Sequence, residues 1–188
     1  MNIYVDLEFT GLKKDTSIIS IGMVDENGRS VYVEYTDYNK EDINDWIQQN
    51  VINKCLFDHN KDLQSTITTI DNNTIGVGDK EFNRQTLLDW LSKYKDIQFI
   101  SDVCHYDMVL LVDALYDDAL SIPSNVSAVC YDINHDIARY FKITPKEAFN
   151  KSRETIVKEE LKSLVDIKKH NSLYDAKVIK LIYEKLNK

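Results

Sequence analysis

The stretch that decides the fold is Ile3–Glu8, which reads IYVDLE and continues as FTGL to Leu12. Side chains alternate faces along a β-strand, so the three apolar residues at odd positions share one face. Asp6 and Glu8 project together from the other face. Burying an uncompensated carboxylate is costly, so this second face either meets cations or is open to solvent. An edge strand with an acidic outer surface explains the pair equally well.

The composition predicts one globular domain over residues 1–188. Hydrophobic residues make up 43% of the chain, which suffices for a sizeable core, and the low count of 5 Gly and 2 Pro argues against long linkers. The sequence shows neither a signal peptide nor an apolar run that could span a membrane. Cys55, Cys104 and Cys130 have no metal-binding spacing, so we expect reduced, packed thiols in a cytoplasmic protein that has no membrane partner.

The net charge limits the partners of the protein. A value of −8 argues against binding duplex nucleic acid through a broad basic surface. It does not exclude a nuclease, because a site built from carboxylates regains positive potential when it binds divalent cations.

Hydrophobic patterning predicts an α/β protein with a mixed five-stranded sheet flanked by helices. The first three strands, with an Asn27–Gly28 turn between the second and third, form an antiparallel meander. The polar segment 58–79 is interpreted as a loop, with room for a short strand near Ile75. The predicted strands cover residues 3–8, 17–24, 31–35, 98–103 and 127–131.

Helices are predicted between and after these strands. A capping box over Thr144–Glu147 opens a short helix, and Ser172 is the predicted N-cap of the last helix. Segment 151–169 has no clear pattern. The other predicted helices cover 42–56, 82–94 and 107–115, and a further helix includes 137–141.

Three more residues could act with the strand-borne carboxylates. Asp107 opens the helix after the fourth strand, and Asp175 lies in the first turn of the last helix. His170 and Asp175 would lie about 140° apart on one helix, so they converge only if the helix begins after His170. Each residue has a structural explanation as well: the helix dipole for Asp107, a capping box for Asp175 and a surface position for His170. Asp102 competes with Asp107 for the same role.

As an ordered set, these motifs resemble the DEDDh 3′–5′ exonucleases, a superfamily with the ribonuclease H-like fold. Residues 6–12, 105–111 and 170–176 carry the three motifs. Segments 44–46, 50–52 and 130–134 look most like the small bacterial and phage exoribonucleases related to RNase T and oligoribonuclease. Two positions depart from the pattern. Phe9 replaces a small polar residue, and Val103 stands where Asn is common before the second motif.

The resemblance implies a role for each matched residue. Two Mg²⁺ or Mn²⁺ ions would be held by four carboxylates, those of Asp6, Glu8, Asp107 and Asp175. His170 would accept the proton of the attacking water. For the substrate, the main chain near Phe9 and Thr10 would hold the terminal ribose, and Leu12 would wedge against the terminal base.

The function expected from this resemblance is a two-metal-ion 3′–5′ exoribonuclease. It would bind the 3′ end of single-stranded RNA or of a 3′ overhang and release nucleoside 5′-monophosphates. A DNA exonuclease with the same chemistry and a non-catalytic nucleic-acid-binding member of the fold are the alternatives. The sequence leaves open the choice between RNA and DNA, the choice between Mg²⁺ and Mn²⁺, and whether the protein forms a homodimer.

Overall fold

The computed structural model describes residues 1–163 and 169–187 and shows an α/β protein with a mixed sheet. The strands are β1 (Asn2–Phe9), β2 (Ile18–Asp25), β3 (Ser30–Tyr35), β4 (Thr66–Ile70), β5 (Asn73–Gly78), β6 (Gln98–Ser101) and β7 (Tyr131–Asp132). Their order in the sheet is β4-β5-β3-β2-β1-β6-β7. The predicted antiparallel meander of β1, β2 and β3 is confirmed, and β1 also pairs in parallel with β6.

Seven α-helices are assigned in the described residues, and they flank the sheet. They are α1 (Asp45–Asn50), α2 (Lys80–Leu91), α3 (Cys104–Tyr116), α4 (Asn134–Phe141), α5 (Pro145–Phe149), α6 (Arg153–Ile156) and α7 (Ser172–Leu186). None of these helices is both long and apolar enough to cross a membrane.

The two faces of β1 meet different helices, as the alternation of its side chains predicts. Ile3, Val5 and Leu7 are buried in one apolar cluster with side chains of α2 and α3. Tyr4 belongs to a second cluster with side chains of α4 and α7. Asp6 and Glu8 therefore point to the face that α7 covers.

The prediction of five strands is wrong, because the sheet has seven strands within residues 1–163 and 169–187. The two additional strands, β4 and β5, form a hairpin inside segment 58–79, which the sequence indicated to be a loop. The short strand allowed near Ile75 corresponds to β5, whereas β4 was not predicted. β4 is the edge strand and all five of its residues are exposed, so it lacks the apolar alternation of a half-buried strand. Pairing of β5 with β3 decides the conformation, and the Asp71–Asn72 turn, with Asp71 at φ 54°, closes the hairpin.

The last predicted strand is also largely wrong, since β7 contains only Tyr131 and Asp132. The predicted helix 42–56 is divided into α1 and two 3₁₀ turns, Lys40–Asp42 and Ile52–Lys54. The side chain of Asn44 accepts a hydrogen bond from the backbone of Ile47 and so fixes the start of α1.

Helix starts were predicted with mixed success. The capping box of Thr144 and Glu147 at α5 is confirmed. Ser172 is not the N-cap of α7, because Asn171 caps the helix and Ser172 is its first residue. In segment 151–169, α6 and a 3₁₀ turn at Glu160–Ser163 are formed, and residues 164–168 lie outside the described residues.

Candidate active site

The N-terminus of α7 lies directly on the sheet at Gly22. This glycine pairs with Asp6 across β1 and β2. A Cβ atom added there would lie 2.4 Å from backbone atoms of Ser172 and Leu173. Next to it, the buried hydroxyls of Ser20 and Ser172 are hydrogen-bonded at 2.9 Å. The absence of a side chain at position 22 therefore lets the first turn of α7 approach Asp6 and Glu8.

Asn171 fixes the direction of α7. Its side-chain oxygen accepts a hydrogen bond from the Tyr174 backbone at 3.3 Å. Its amide nitrogen donates to the Tyr32 hydroxyl at 3.1 Å and to the Lys54 carbonyl at 3.2 Å. The cap thus ties the helix start to β3 and to the 3₁₀ turn after α1.

His170 lies outside α7, as the convergence with Asp175 requires. Its backbone adopts a φ of 63°, in the left-handed region that is unfavourable for a residue with a side chain. In this conformation its backbone N–H donates to Asp175 Oδ2 at 2.9 Å. The ring packs edge-on against Trp46, with 5.3 Å between ring centroids. Tertiary contacts therefore hold both the backbone and the ring of His170 near Asp175.

Asp107 is buried in the first turn of α3. The Ser101 hydroxyl, at the end of β6, donates to Asp107 Oδ2 at 2.5 Å. The parallel pairing of β6 with β1 places this strand end next to Asp6 and Glu8. The helix starts at Cys104, three residues earlier than predicted, so Asp107 lies within the first turn and does not open the helix.

A single cavity of about 510 Å³ brings together all five predicted catalytic residues. Asp6, Glu8, Asp107, His170 and Asp175 all line it. Ligand atoms of Glu8, His170 and Asp175 lie within 4.8 Å of one another, and so do oxygens of Asp6, Asp107 and Asp102. The acidic residues of this cavity could therefore hold a metal ion.

Burial and mutual repulsion disfavour the ionised form of the acidic groups and so raise their pKa values. Burial, followed by Asp175 and Asp107, raises the pKa of Asp6 well above its usual value. The same causes raise the pKa of Glu8 to about 8. Burial is also the main reason that the pKa of Asp107 rises to about 8 and that of Asp175 to about 7. A bound cation would relieve both effects, since it stabilises the ionised carboxylates.

Asp102 also lies in this cavity, but its carboxylate forms a salt bridge with the guanidinium group of Arg153. Arg153 Nε donates to Asp102 Oδ2 at 2.6 Å. The same guanidinium donates to Asn134 Oδ1 at 2.8 Å and to the carbonyls of Ala148 and Lys151. Arg153 thus fixes the wall formed by residues 149–154 against the end of β6.

Of the residues expected to contact the substrate, Phe9 lines the cavity. Thr10 is buried, and its hydroxyl contacts the Thr16 and Ser17 hydroxyls at 3.3 Å. Leu12 is 69% exposed and lies outside the cavity lining. Its role as a wedge stays a prediction.

Sequence reasoning missed the wall that faces the carboxylates. Phe149 lines the cavity from the end of α5, and Lys151 and Arg153 line it from segment 151–169, which has no clear sequence pattern. A signal was present, because Ser152 is a favourable N-cap residue and its hydroxyl accepts a hydrogen bond from the Thr155 backbone.

A second cluster, Glu34, Cys55 and His59, has the ligand types of a metal site but is already satisfied by hydrogen bonds. The buried Glu34 carboxylate accepts hydrogen bonds from the Tyr32 hydroxyl and the Leu56 and Phe57 backbones. It also contacts His59 Nε2 at 2.7 Å. We interpret the cluster as the anchor that fastens residues 55–59 to β3.

Comparison with known proteins adds no assignment. No family model matches the chain, and its sequence has no significant match among curated proteins.

Proposed function

We propose that the protein is a metal-dependent 3′–5′ exonuclease with a ribonuclease H-like fold, related to the DEDDh superfamily, and that its substrate is single-stranded RNA. The observation that carries the proposal is the convergence of three separate sequence motifs in one cavity. Strand β1, the first turn of α3 and the start of α7 contribute the four carboxylates and the histidine. The seven-stranded sheet, with α2 and α3 on one face and α7 on the other, is compatible with such a fold.

The donor set fits hard divalent cations. Carboxylate oxygens are the ligands that Mg²⁺ and Mn²⁺ prefer, and burial, together with neighbouring carboxylates, raises the pKa of each of these four groups. Two ions would be held by Asp6, Glu8, Asp107 and Asp175. When bound, such ions activate water and neutralise charge that develops on the phosphate and the leaving oxygen.

His170 is the proposed general base. A ring nitrogen lies within 4.8 Å of oxygens of Glu8 and Asp175, so the imidazole faces the same space as the carboxylates. Burial and the nearby Lys169 lower its pKa, which keeps the ring neutral and able to accept a proton at neutral pH.

Aromatic and basic side chains around the cavity suit a single strand. Phe9 and Phe149 line the cavity, and the exposed Trp46 lies against His170. Base stacking on such rings tolerates any sequence, as an exonuclease requires. Lys151 and Lys169 also line the cavity, where Lys169 Nζ lies 3.0 Å from Glu154 Oε1, and they would supply positive charge to backbone phosphates despite the overall charge of −8.

A labelled oligonucleotide tests this proposal. With Mn²⁺ or Mg²⁺, a 5′-labelled RNA should give a ladder that shortens from the 3′ end, and EDTA should abolish it. Asp6→Asn is the matched inactive control. A first product from an internal cut, or cleavage that persists in EDTA and in Asp6→Asn, would contradict the proposal.

A matched DNA oligonucleotide decides the substrate. RNA should be degraded faster if the site contacts the 2′-hydroxyl. Faster degradation of DNA would show that DNA is the preferred substrate, while the proposed metal-dependent 3′–5′ exonuclease reaction would stand. Binding without degradation of either strand would instead indicate the non-catalytic alternative.

A further inference from the structure

Cys104 and Cys130 form a close pair of thiols that the proposed exonuclease chemistry does not use. Their sulfur atoms are 2.9 Å apart, although the residues are separated by 26 positions in the chain. Both cysteines are free and half-buried. Two sulfur atoms in ordinary van der Waals contact lie farther apart than this, and a covalent disulfide requires about 2.05 Å. The pair therefore needs only a small movement to form a bond.

The two thiols differ in their surroundings. Cys104 is the first residue of α3, and its thiol donates a hydrogen bond to the Ser101 carbonyl, with 3.7 Å between sulfur and oxygen. The Cys130 thiol donates its hydrogen to the Cys104 sulfur, and this hydrogen bond, followed by burial, raises the pKa of Cys130. Cys130 is therefore the poorer attacking group, because the thiolate is the nucleophile.

We propose that Cys104 and Cys130 are a modification site, a dithiol that a low-molecular-weight disulfide oxidises to an intramolecular disulfide. The Cys104 thiolate attacks one sulfur of the reagent, forms a mixed disulfide and releases the first thiol of the reagent. Cys130 then gives up its proton and attacks the Cys104 sulfur, and the second reagent thiol leaves with that proton. In total, two protein thiols are oxidised and one reagent disulfide is reduced to two thiols.

The bond would join two segments that flank the candidate active site. Cys104 lies three residues before Asp107 on α3, and Cys130 lies directly before β7. This proposal does not depend on the proposed nuclease function, because it rests on the contact of the two thiols.

The test uses oxidised glutathione and mass spectrometry of the intact chain and its tryptic peptides. Trypsin releases residues 96–139 as one peptide that contains both cysteines, and residues 55–61 as a peptide that contains Cys55 alone. In the wild type, peptide 96–139 should lose two hydrogen atoms and resist alkylation. Peptide 55–61 should still be alkylated, and dithiothreitol should reverse the change.

Single variants test the order of attack. Cys130→Ser should accumulate the glutathione mixed disulfide on Cys104, whereas Cys104→Ser should react at Cys130 at least about tenfold more slowly. Cys55→Ser is the control and should form the bond like the wild type. Alanine replaces serine in any variant whose melting temperature shows that it does not fold.

Two results would overturn the proposal. One is a wild type that becomes glutathionylated at Cys104 or Cys55 and forms no intramolecular bond. The other is equal reaction rates of Cys104→Ser and Cys130→Ser, which would refute Cys104 as the attacking thiolate.

Discussion

At the scale of single residues, the partner of a carboxylate separates a candidate ligand from a structural acid. Asp102 and Asp107 both lie close to Asp6. Asp102 is paired with Arg153, whereas Asp107 accepts only a neutral hydroxyl, that of Ser101, among the hydrogen bonds described. Asp107 therefore has less compensating charge than Asp102, and its choice over Asp102 as a ligand stays a prediction.

This difference predicts unequal effects of the two Asn substitutions. Asp107→Asn should lower kcat more than about 100-fold, since it removes a ligand of the proposed metal centre. Asp102→Asn should keep kcat within about tenfold and cost about 1–3 kcal/mol of unfolding free energy, because Arg153 loses its charged partner. Steady-state kinetics and urea denaturation measure both effects, and the reverse ranking would make Asp102 the ligand.

His170 is predicted to control the pH dependence of the reaction. His170→Gln should lower the rate about 10²–10⁴-fold. The increase in melting temperature on addition of Mn²⁺ should stay near that of the wild type, because the carboxylates remain. The wild-type rate should rise with pH through an apparent pKa below 6.5, since burial and Lys169 lower the pKa of this histidine.

The matched control is His105, which is exposed and makes tilted ring contacts with Tyr106 and Phe149. His105→Gln should retain the wild-type pH profile. If His170→Gln also retains it, His170 is not the general base.

At the scale of elements, the site depends on how closely α7 approaches β2. Gly22 makes this approach possible, and Asn171 and Ser172 hold the helix start by hydrogen bonds. Both His170 and Asp175 are placed by this contact, so the packing of one helix terminus positions two of the five candidate catalytic residues.

Gly22→Ala should therefore damage both stability and activity. The added methyl would clash with backbone of α7, and overpacking of this kind costs about 1–3 kcal/mol or more. Gly11→Ala is the matched control, because no atom lies within 4 Å of its added Cβ, and it should change stability by less than about 0.5 kcal/mol. Equal melting temperatures for the two variants would contradict this description of the contact.

At the scale of the whole molecule, the protein has a net charge of −8, and four of its carboxylates, those of Asp6, Glu8, Asp107 and Asp175, line one cavity. Without metal, these groups repel one another and resist desolvation. The native state tolerates them through proton uptake or through cation binding, so pH and metal should act on the same groups.

The pH dependence of stability follows from the raised pKa values. Between the ordinary carboxyl range near pH 4 and about pH 8, the folded chain binds more protons than the unfolded chain, so these groups make stability fall as pH rises. In EDTA, the melting temperature of the wild type should fall through about pH 7–8, and that of Asp6→Asn should fall less. Mn²⁺ should restore wild-type stability at high pH more than that of the variant. Identical pH profiles in EDTA would show that Asp6 does not share in this repulsion.

The sequence by itself determined the local features of this protein. Alternation in Ile3–Glu8 placed Asp6 and Glu8 on the face opposite the main apolar cluster, and the Asn27–Gly28 turn predicted the β2–β3 hairpin. Thr144 and Glu147 predicted the start of α5. These features depend on interactions between residues that are near in sequence, so the local sequence pattern is enough to predict them.

Only the tertiary structure decided the features that depend on distant residues. β4 and β5 are strands because β5 pairs with β3, and Asn171 caps α7 while Ser172 turns to Ser20. The clustering of three distant motifs and the pairing of Asp102 with Arg153 likewise depend on packing across the sheet. A sequence pattern shows which reactive side chains the chain contains. Long-range packing decides which of them come into contact, because it selects one among several locally acceptable backbone conformations.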